Sequence, residues 1–496
     1  MKKAVWIALG LALAVFIVRM ALALGTSAFS VDDSYFHLRQ AEHIQQTGAP
    51  LFDDPLSFGG RTTLFAPAYD YALAGVGFIF GIPLAAKVLT NLSAAVLVVL
   101  VYAFAQETTR DWRASLIAAL AAGLVPVLWQ GLVSASAPSL SIVFGLAMLL
   151  CFLRLDLPQR RGTFLALIIA GSIITPSFTL FILGLLVYLL LAVMADVQRP
   201  RGEHELVFFS VLFALWSALL FFKRLFVAHG LAVFWQNIPT SILAAYFSHI
   251  SVLDAVAAVG VVPFVAGMYV MYRHLFKEQE RSVYLVMGLV LATGLLVWLR
   301  LLRPEFGLEV LGIALVLLFA FALARLLRYV DRTKFTRWSP WIAALAGVLV
   351  LVLSGISSFH EGQAASANAL TIEERDALDW LRTDTASDSV VLATLEEGHA
   401  IEERAQRGTI ADTNFLLKDD AAIRIEDIHR AFTSPFDSDI VTVMERYGAR
   451  YVLWTSRTRV FAGTNEPLFA RNTDCFPAIF TSGTITIYER RCGVRA

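Results

Sequence analysis

The chain has 496 residues, of which 57% are hydrophobic and only 16% charged, whereas a soluble globular domain is nearer a quarter charged. That composition excludes a soluble enzyme and indicates a polytopic α-helical membrane protein. Lysine plus arginine number 40 and aspartate plus glutamate number 40, so no global charge speaks for a nucleic-acid partner.

Apolar runs long enough to cross a bilayer lie near residues 4–25, 84–105, 114–133, 137–155, 162–176, 177–195, 206–226, 250–272, 282–302, 306–327 and 339–359. They predict about eleven transmembrane helices on the length criterion. Pro176 marks a tight turn between two of them, since proline breaks a helix. The stretch 64–82 is apolar too, but Pro67, Asp70 and Pro83 interrupt or follow it, and it reads as interfacial or re-entrant. Basic residues fix the orientation. Lys2 and Lys3, then Arg154, Arg160 and Arg161, Arg199 and Arg201, Arg273, Lys277 and Arg281, and finally Arg325, Arg328, Arg332, Lys334 and Arg337, all fall on one side. That side is the cytoplasmic one, with the amino terminus on it, and an odd number of spans puts the carboxyl terminus outside the cytoplasm. The first span lacks a small-residue cleavage site and reads as an uncleaved signal anchor.

The first loop, about 26–82, is much the longest between spans, and long structured loops are usually functional. It carries Val31-Asp32-Asp33-Ser34-Tyr35-Phe36-His37-Leu38-Arg39 just past the first span. Adjacent Asp32 and Asp33 either cap a helix that begins near Tyr35 or hold a divalent cation, Mg or Mn, which would in turn hold a lipid-linked phosphate. His37 is placed to donate to such a phosphate, or is an ordinary helix-surface residue. Arg39, Glu42 and His43 share a face if Tyr35 to Gln46 is helical, and Gly59-Gly60 reads as a turn. The next outward loop, Ser134 to Ser139, has no acid. The loop from Lys223 to Ser251 holds Lys223, Arg224, His229, Gln236, Asn237 and His249, again without an acid. Amides such as Asn237 would have to complete a cation's shell. Arg300 and Arg303 end the ninth span on the outer side, against the charge trend. Arginine is a forked phosphate partner, and Arg303-Pro304-Glu305-Phe306 opens the next helix, whose amino terminus favours an anion. Snorkelling anchors are the other reading of this pair.

From about His360 the material changes to mixed charge with turn residues. Strand-like runs at 389–393 and 450–454 alternate with helical periodicity at Ile372–Leu381 and Asp439–Tyr447. The tail, 360–496, therefore reads as an extracytoplasmic α/β domain following a membrane domain of residues 1–359. Such a location permits a disulfide between Cys475 and Cys492.

Several segments together resemble the catalytic subunit of oligosaccharyltransferase, a GT-C-type membrane glycosyltransferase. Asp33-Ser34-Tyr35-Phe36-His37-Leu38-Arg39 is similar to an early family loop reading Asp-Pro-Tyr-Tyr-His-Leu-Arg. Phe65 to Tyr71 resembles the aromatic and proline-rich stretch that follows it, and Arg303 with Phe306 resembles the family's lipid-pyrophosphate arginine. In the tail, Ala377 to Arg382, Gly398 to Glu402, Ile410 to Phe415 and Tyr447 to Val452 resemble four further stretches in the family's order. The family's Trp-Trp-Asp-Tyr-Gly acceptor motif is replaced by Thr394-Leu395-Glu396-Glu397-Gly398, and its second acidic motif by the acid-free Ala135 to Ser139. The acid of its long external loop corresponds to about Gln236 or Asn237. The resemblance implies a GT-C-like fold, Asp33 as metal ligand and catalytic residue, Arg303 as phosphate contact, and inverting transfer from a polyprenyl-linked glycan. The acceptor would be a protein site, a lipid or a glycan. The missing acids leave open a non-catalytic relative that binds lipid-linked glycan or scaffolds a partner enzyme. A transporter is disfavoured because Lys87, Asp254 and Glu309 are the chief charges within the spans.

Overall fold

A computed structural model describes residues 2–198, 200, 202–248 and 250–493. Arg199, Arg201 and His249, named above, lie outside the described residues. Helices α1 (Lys2–Ala23), α2 (Asp33–Thr47), α3 (Ala68–Phe80), α4 (Ile82–Thr109), α5 (Trp112–Gly123), α6 (Pro126–Gln130) and α7 (Ala137–Phe152) build the first part. They are followed by α8 (Pro158–Ile174), α9 (Thr179–Met194), α10 (Glu203–His229), α11 (Thr240–Ser248), α12 (Val252–Val259) and α13 (Val261–Phe276). Next come α14 (Arg281–Trp298), α15 (Pro304–Asp331), α16 (Ser339–Ala367) and α17 (Ile372–Asp384).

All eleven apolar runs are helical, but the count of spans changes. Among the described residues, seven stretches are long and apolar enough to cross a membrane, those containing α1, α4, α9, α10, α14, α15 and α16, or up to nine if each bent pair is one span. The bent pairs are α5 with the α6 region, at 42°, and α12 with α13, at 98°. Pro126 opens α6 and removes an amide donor at the first break. At the second, Gly260 adopts φ 91°, a conformation a side chain resists. The two remaining runs form α7 and α8, of 16 and 17 residues, short of the usual span. The stretch 64–82 yields α3, only 13 residues long, short of a full span. Small residues let the helices approach closely. A Cβ on Gly288 of α14 would lie 2.6 Å from the Gly184 carbonyl oxygen of α9.

The helical body does not end at residue 359. α16 continues to Ala367, and a capping box of Thr371 and Glu374 starts α17. A five-stranded mixed sheet follows, made of β3 (Val390–Leu392), β4 (Gly408–Thr409), β5 (Ala449–Trp454), β6 (Ala478–Ser482) and β7 (Ile485–Glu489); β1 (Asp53–Asp54) and β2 (Arg61–Thr62) form a separate hairpin in the first loop. The sheet order is β4-β3-β5-β7-β6. β3 pairs in parallel with β4 and β5, with Val391 opposite Tyr451, while β7 runs antiparallel to β5 and β6. Cys475 and Cys492 form a disulfide.

The element that positions the site is α2. Its buried Tyr35, Leu38 and Ile44 belong to one apolar cluster with Tyr69 and Leu73 of α3 and with Leu378, Val391 and Leu453 of the tail. α2 is thereby wedged between the helical body and the sheet.

Candidate functional site

The two groups singled out as phosphate and cation ligands meet. Arg303 is the residue before α15, whose first position is Pro304, an arrangement proline favours. Its guanidinium donates to Asp33 Oδ2 at 2.7 Å. Asp33 Oδ1 accepts from the Thr413 hydroxyl at 2.6 Å. Both charges remain about a third exposed, 34% for Asp33 and 39% for Arg303, so the pair sits at a mouth and not in a core. Burial pushes the Asp33 carboxyl up, but Arg303, His399 and the Thr413 hydroxyl outweigh it and hold Asp33 well below the usual carboxylate range.

Beside this pair lies a groove lined by Trp235, Gln236, Tyr246, Phe247, Arg300 and Arg303. Arg300 lies over the Phe247 ring at 5.7 Å and Arg303 over Tyr246 at 6.0 Å, contacts that orient cations on aromatic faces. Arg300, Gln236 and Asn237 all adopt positive φ, at 56°, 53° and 54°. Non-glycine residues held there mark strained, over-determined backbone.

The other sequence-predicted residues are placed differently from expectation. Neither Asp32 nor Asp33 caps α2 through its side chain. Asp32 instead accepts the His399 and Ala400 amides, both at 3.0 Å; burial pushes its carboxyl up to about 7 against those donors. Asn237, expected near an acceptor, spends its amide on the Phe415 and Lys418 carbonyls, both at 3.0 Å. Gln236 does line the groove. His37 Nδ1 lies 2.7 Å from Asp70 Oδ1, so one ring nitrogen is committed to a carboxylate and not to a phosphate. Arg39 forms a fork on Asp54 at 2.7 and 2.8 Å.

The donor set at Asp33 does not fit a divalent ion. Hard cations take about six oxygens; here one carboxylate is shared by an arginine and a threonine, and Asp32 is bound to backbone amides. One group among the described residues does converge as a metal site requires: His399, Glu402 and Asp412, whose ligand atoms lie within 4.8 Å of one another. All are at most 3% exposed. Yet His399 Nδ1 faces Glu402 at 3.1 Å while Nε2 faces Asp412 at 3.8 Å. Arg61 binds both Asp412 oxygens, at 3.0 and 3.1 Å, and Ser57 donates to the same carboxylate. Thr409 donates to Glu402 at 2.7 Å. An imidazolium bridging two acids describes this geometry, and it locks the first loop onto the tail. Burial pushes the His399 ring down, but Asp412 and Glu402 overcome it and raise it to about 10.

Sequence reasoning missed Thr413, Asp70 and the Arg61–Asp412 clamp. The stretches Gly398 to Glu402 and Ile410 to Phe415 carry most of these residues and were visible only as resemblances without roles.

No protein-family model matches the sequence, and comparison with curated protein sequences gives no match. Solved structures do match in fold. The apo oligosaccharyltransferase of Archaeoglobus fulgidus is similar over 89% of this chain and 69% of its own, at 16% identity and a TM-score of 0.65. ArnT from Cupriavidus metallidurans, bound to undecaprenyl phosphate, is similar over 98% of both chains, at 12% identity and a TM-score of 0.58. The mycobacterial arabinofuranosyltransferase AftD is similar over 100% of this chain and 40% of its own, at 14% identity and a TM-score of 0.57.

The fold is that of the GT-C membrane glycosyltransferases. Within the GT-C fold of this chain, the Asp33–Arg303 pair sits where α2, the start of α15 and the tail residue Thr413 come together.

Proposed function

We propose that the chain is a GT-C glycosyltransferase that moves a glycan from a polyprenyl phosphate or diphosphate to an acceptor on the extracytoplasmic side. One observation carries the reading. The Asp33–Arg303 contact of 2.7 Å joins residues 270 positions apart beside a groove with a second arginine.

In this reading the lipid phosphate enters the groove and takes the Arg303 and Arg300 guanidiniums. These neutralise charge that builds on the phosphate as the sugar leaves, so they act more strongly on the transition state than on the bound donor. Asp33 holds Arg303 in line until the phosphate arrives, then orients the acceptor together with Thr413. The distribution of basic residues along the sequence supports an amino terminus in the cytoplasm, with the tail outside it. The donor set at Asp33 does not fit a divalent ion. Arginine supplies the positive charge.

The test uses purified protein in nanodiscs with labelled polyprenyl-phosphate and -diphosphate sugars. Label should leave the lipid, Asp33→Ala should stop it, and chelation by EDTA should not. Loss of transfer on chelation, restored by Mg or Mn, would sink the arginine-only account. The engagement of both Asp33 oxygens by Arg303 and Thr413 favours a second reading, a binder of lipid-linked glycan. Donor binding abolished by Arg303→Ala, with no transfer from any donor, would select it.

A further inference from the structure

Transfer to an acceptor releases a proton, and the reading above assigns Asp33 to holding Arg303 and orienting the acceptor. Without donor its oxygens accept from Arg303 and Thr413, and those of Asp32 accept from two amides. The helix that carries Asp33 offers another group. His37 stands four residues on, which puts it on the same face of α2, one turn away, with Cβ atoms about 5–6 Å apart.

His37 is built as half of an acid–base pair. Its Nδ1 lies 2.7 Å from Oδ1 of Asp70, a carboxylate with no exposed surface. Tyr69 packs edge-on against the imidazole at 4.9 Å. Asp70 Oδ2 is buried and has no side-chain hydrogen-bond partner among the described residues. Burial pushes the Asp70 carboxyl up and His37 opposes the rise; ionised, Asp70 can only accept, which puts the proton on Nδ1 and leaves the Nε2 lone pair free. No described residue hydrogen bonds Nε2, and the His37 side chain is 17% exposed. A histidine that merely tied α2 to α3 would need no open nitrogen.

We propose that His37, oriented by Asp70, is the general base of the transfer and that the acceptor group is a hydroxyl. The inference rests on the glycosyl-transfer reading above and adds the acceptor class to it. An amide nitrogen shares its lone pair with the carbonyl and gains little from an imidazole base, whereas a hydroxyl is activated by one. The acceptor oxygen bonds to the anomeric carbon, and the bond from that carbon to the phosphate oxygen breaks. The electron pair leaves with the phosphate, beside Arg303. The hydroxyl proton passes to His37 Nε2, and the resulting imidazolium is balanced by Asp70 until solvent removes the proton.

The test uses the full chain in nanodiscs, a labelled polyprenyl-phosphate sugar, and two probes: an octyl glycoside, which offers hydroxyls, and an Asn-Ala-Thr peptide, which offers an amide beside the Thr hydroxyl, the labelled atom being read by fragmentation. Label is expected on the glycoside. His37→Gln should cut kcat by about 100- to 10,000-fold, the usual span for a lost acid–base group, with donor KM within about twofold. Asp70→Asn should behave likewise. ¹⁵N-imidazole NMR, with His37→Gln for assignment, should find the neutral ring protonated on Nδ1. A neutral ring protonated on Nε2 overturns the pair whatever the activity. Label on the peptide amide, or a His37→Gln enzyme as fast as wild type, overturns the inference while leaving glycosyl transfer standing. A wild type inert with both probes yet binding donor overturns the transfer reading itself, and this inference with it.

Discussion

In the proposed reading Arg303 has two roles. It is a cation against the charge trend, at the end of a helix connection where a phosphate would meet a helix amino terminus. The structure adds its contact with Asp33 at 2.7 Å, so under the proposed function donor binding would exchange one anion for another. Removing a charge-assisted hydrogen bond costs about 1.5–3 kcal/mol. Arg303→Ala is therefore expected to raise donor Kd about 10- to 150-fold. Arg303→Lys should recover only part of this, since a point charge lacks the fork. Direct binding of a fluorescent polyprenyl phosphate checks it; equal affinities for wild type and Arg303→Ala would remove the residue from the site. Asp33 and Arg303 were legible because charge is scarce in this chain and each stands out. Thr413 was not, because it touches Asp33 from 380 residues away and a threonine in a polar tail carries no signal. Asp70 was read only as a flaw in an apolar stretch, when it is the fully buried partner of His37.

Elements were legible in proportion to how locally they are determined. Every apolar run became a helix, and Pro304 at the head of α15 was visible from sequence. The bends were not, because Gly260 breaks a run without lowering its hydropathy; it takes φ 91° at the 98° turn between α12 and α13. The connection after α10 was read as an open loop starting at Lys223. It is instead helix to His229, a turn over Gly230–Trp235 and then α11, and it is tied to the tail. His229 Nε2 accepts the Leu417 amide at 2.8 Å, and Asn237 reaches the Phe415 and Lys418 carbonyls. Those bonds fix the segment that supplies Thr413. Losing the two Asn237 bonds should cost about 1–2 kcal/mol locally. Asn237→Ala is thus expected to lower amide-exchange protection over Phe415–Lys418 by about 5- to 30-fold; unchanged exchange there would show that the tether is incidental. A second element-level expectation concerns the chain end. The Cys475–Cys492 disulfide closes a short loop, and a loop of that size is worth about 3 kcal/mol in the chain-entropy account. Replacing both cysteines by serine should lower the unfolding midpoint of the tail by several degrees in a thermal scan, with α2 and the bundle unaffected.

At the scale of the molecule, the site exists only because two differently built regions meet across α2, and the meeting is electrostatic as much as apolar. His399 sits between Glu402 and Asp412. The first loop adds Arg61 on Asp412, Arg39 at 3.6 Å from Glu402, and Asp32 on the His399 amide. The sign of the pH dependence follows from these neighbours. His399 is raised to about 10 in the folded protein by its two acids, after burial has pushed it down. A raised base contributes stability that is complete below its unfolded value, about 6.5, and is lost as pH climbs through the folded one. Burial raises Glu402, with Asp412 adding to it. Ionising Glu402 therefore costs more when folded, a penalty that grows from about pH 4.5 upward. Asp412 is pushed up by burial but held low by His399 and Arg61, so its contribution is lost only in acid. All the change between neutral and alkaline pH thus runs one way. Docking of the tail on the first loop is expected to weaken steadily from about pH 6.5 to about pH 10. Because Thr413 and the Asp33 site depend on that docking, donor binding should weaken over the same range. His399→Gln should flatten the slope by removing the titrating bridge, at the cost of lower stability near neutral pH. Protease cleavage of the first loop, followed against pH in wild type and His399→Gln, checks both statements. Cleavage that is flat with pH in wild type, or equally steep in the variant, would mean that the buried cluster does not hold the two regions together.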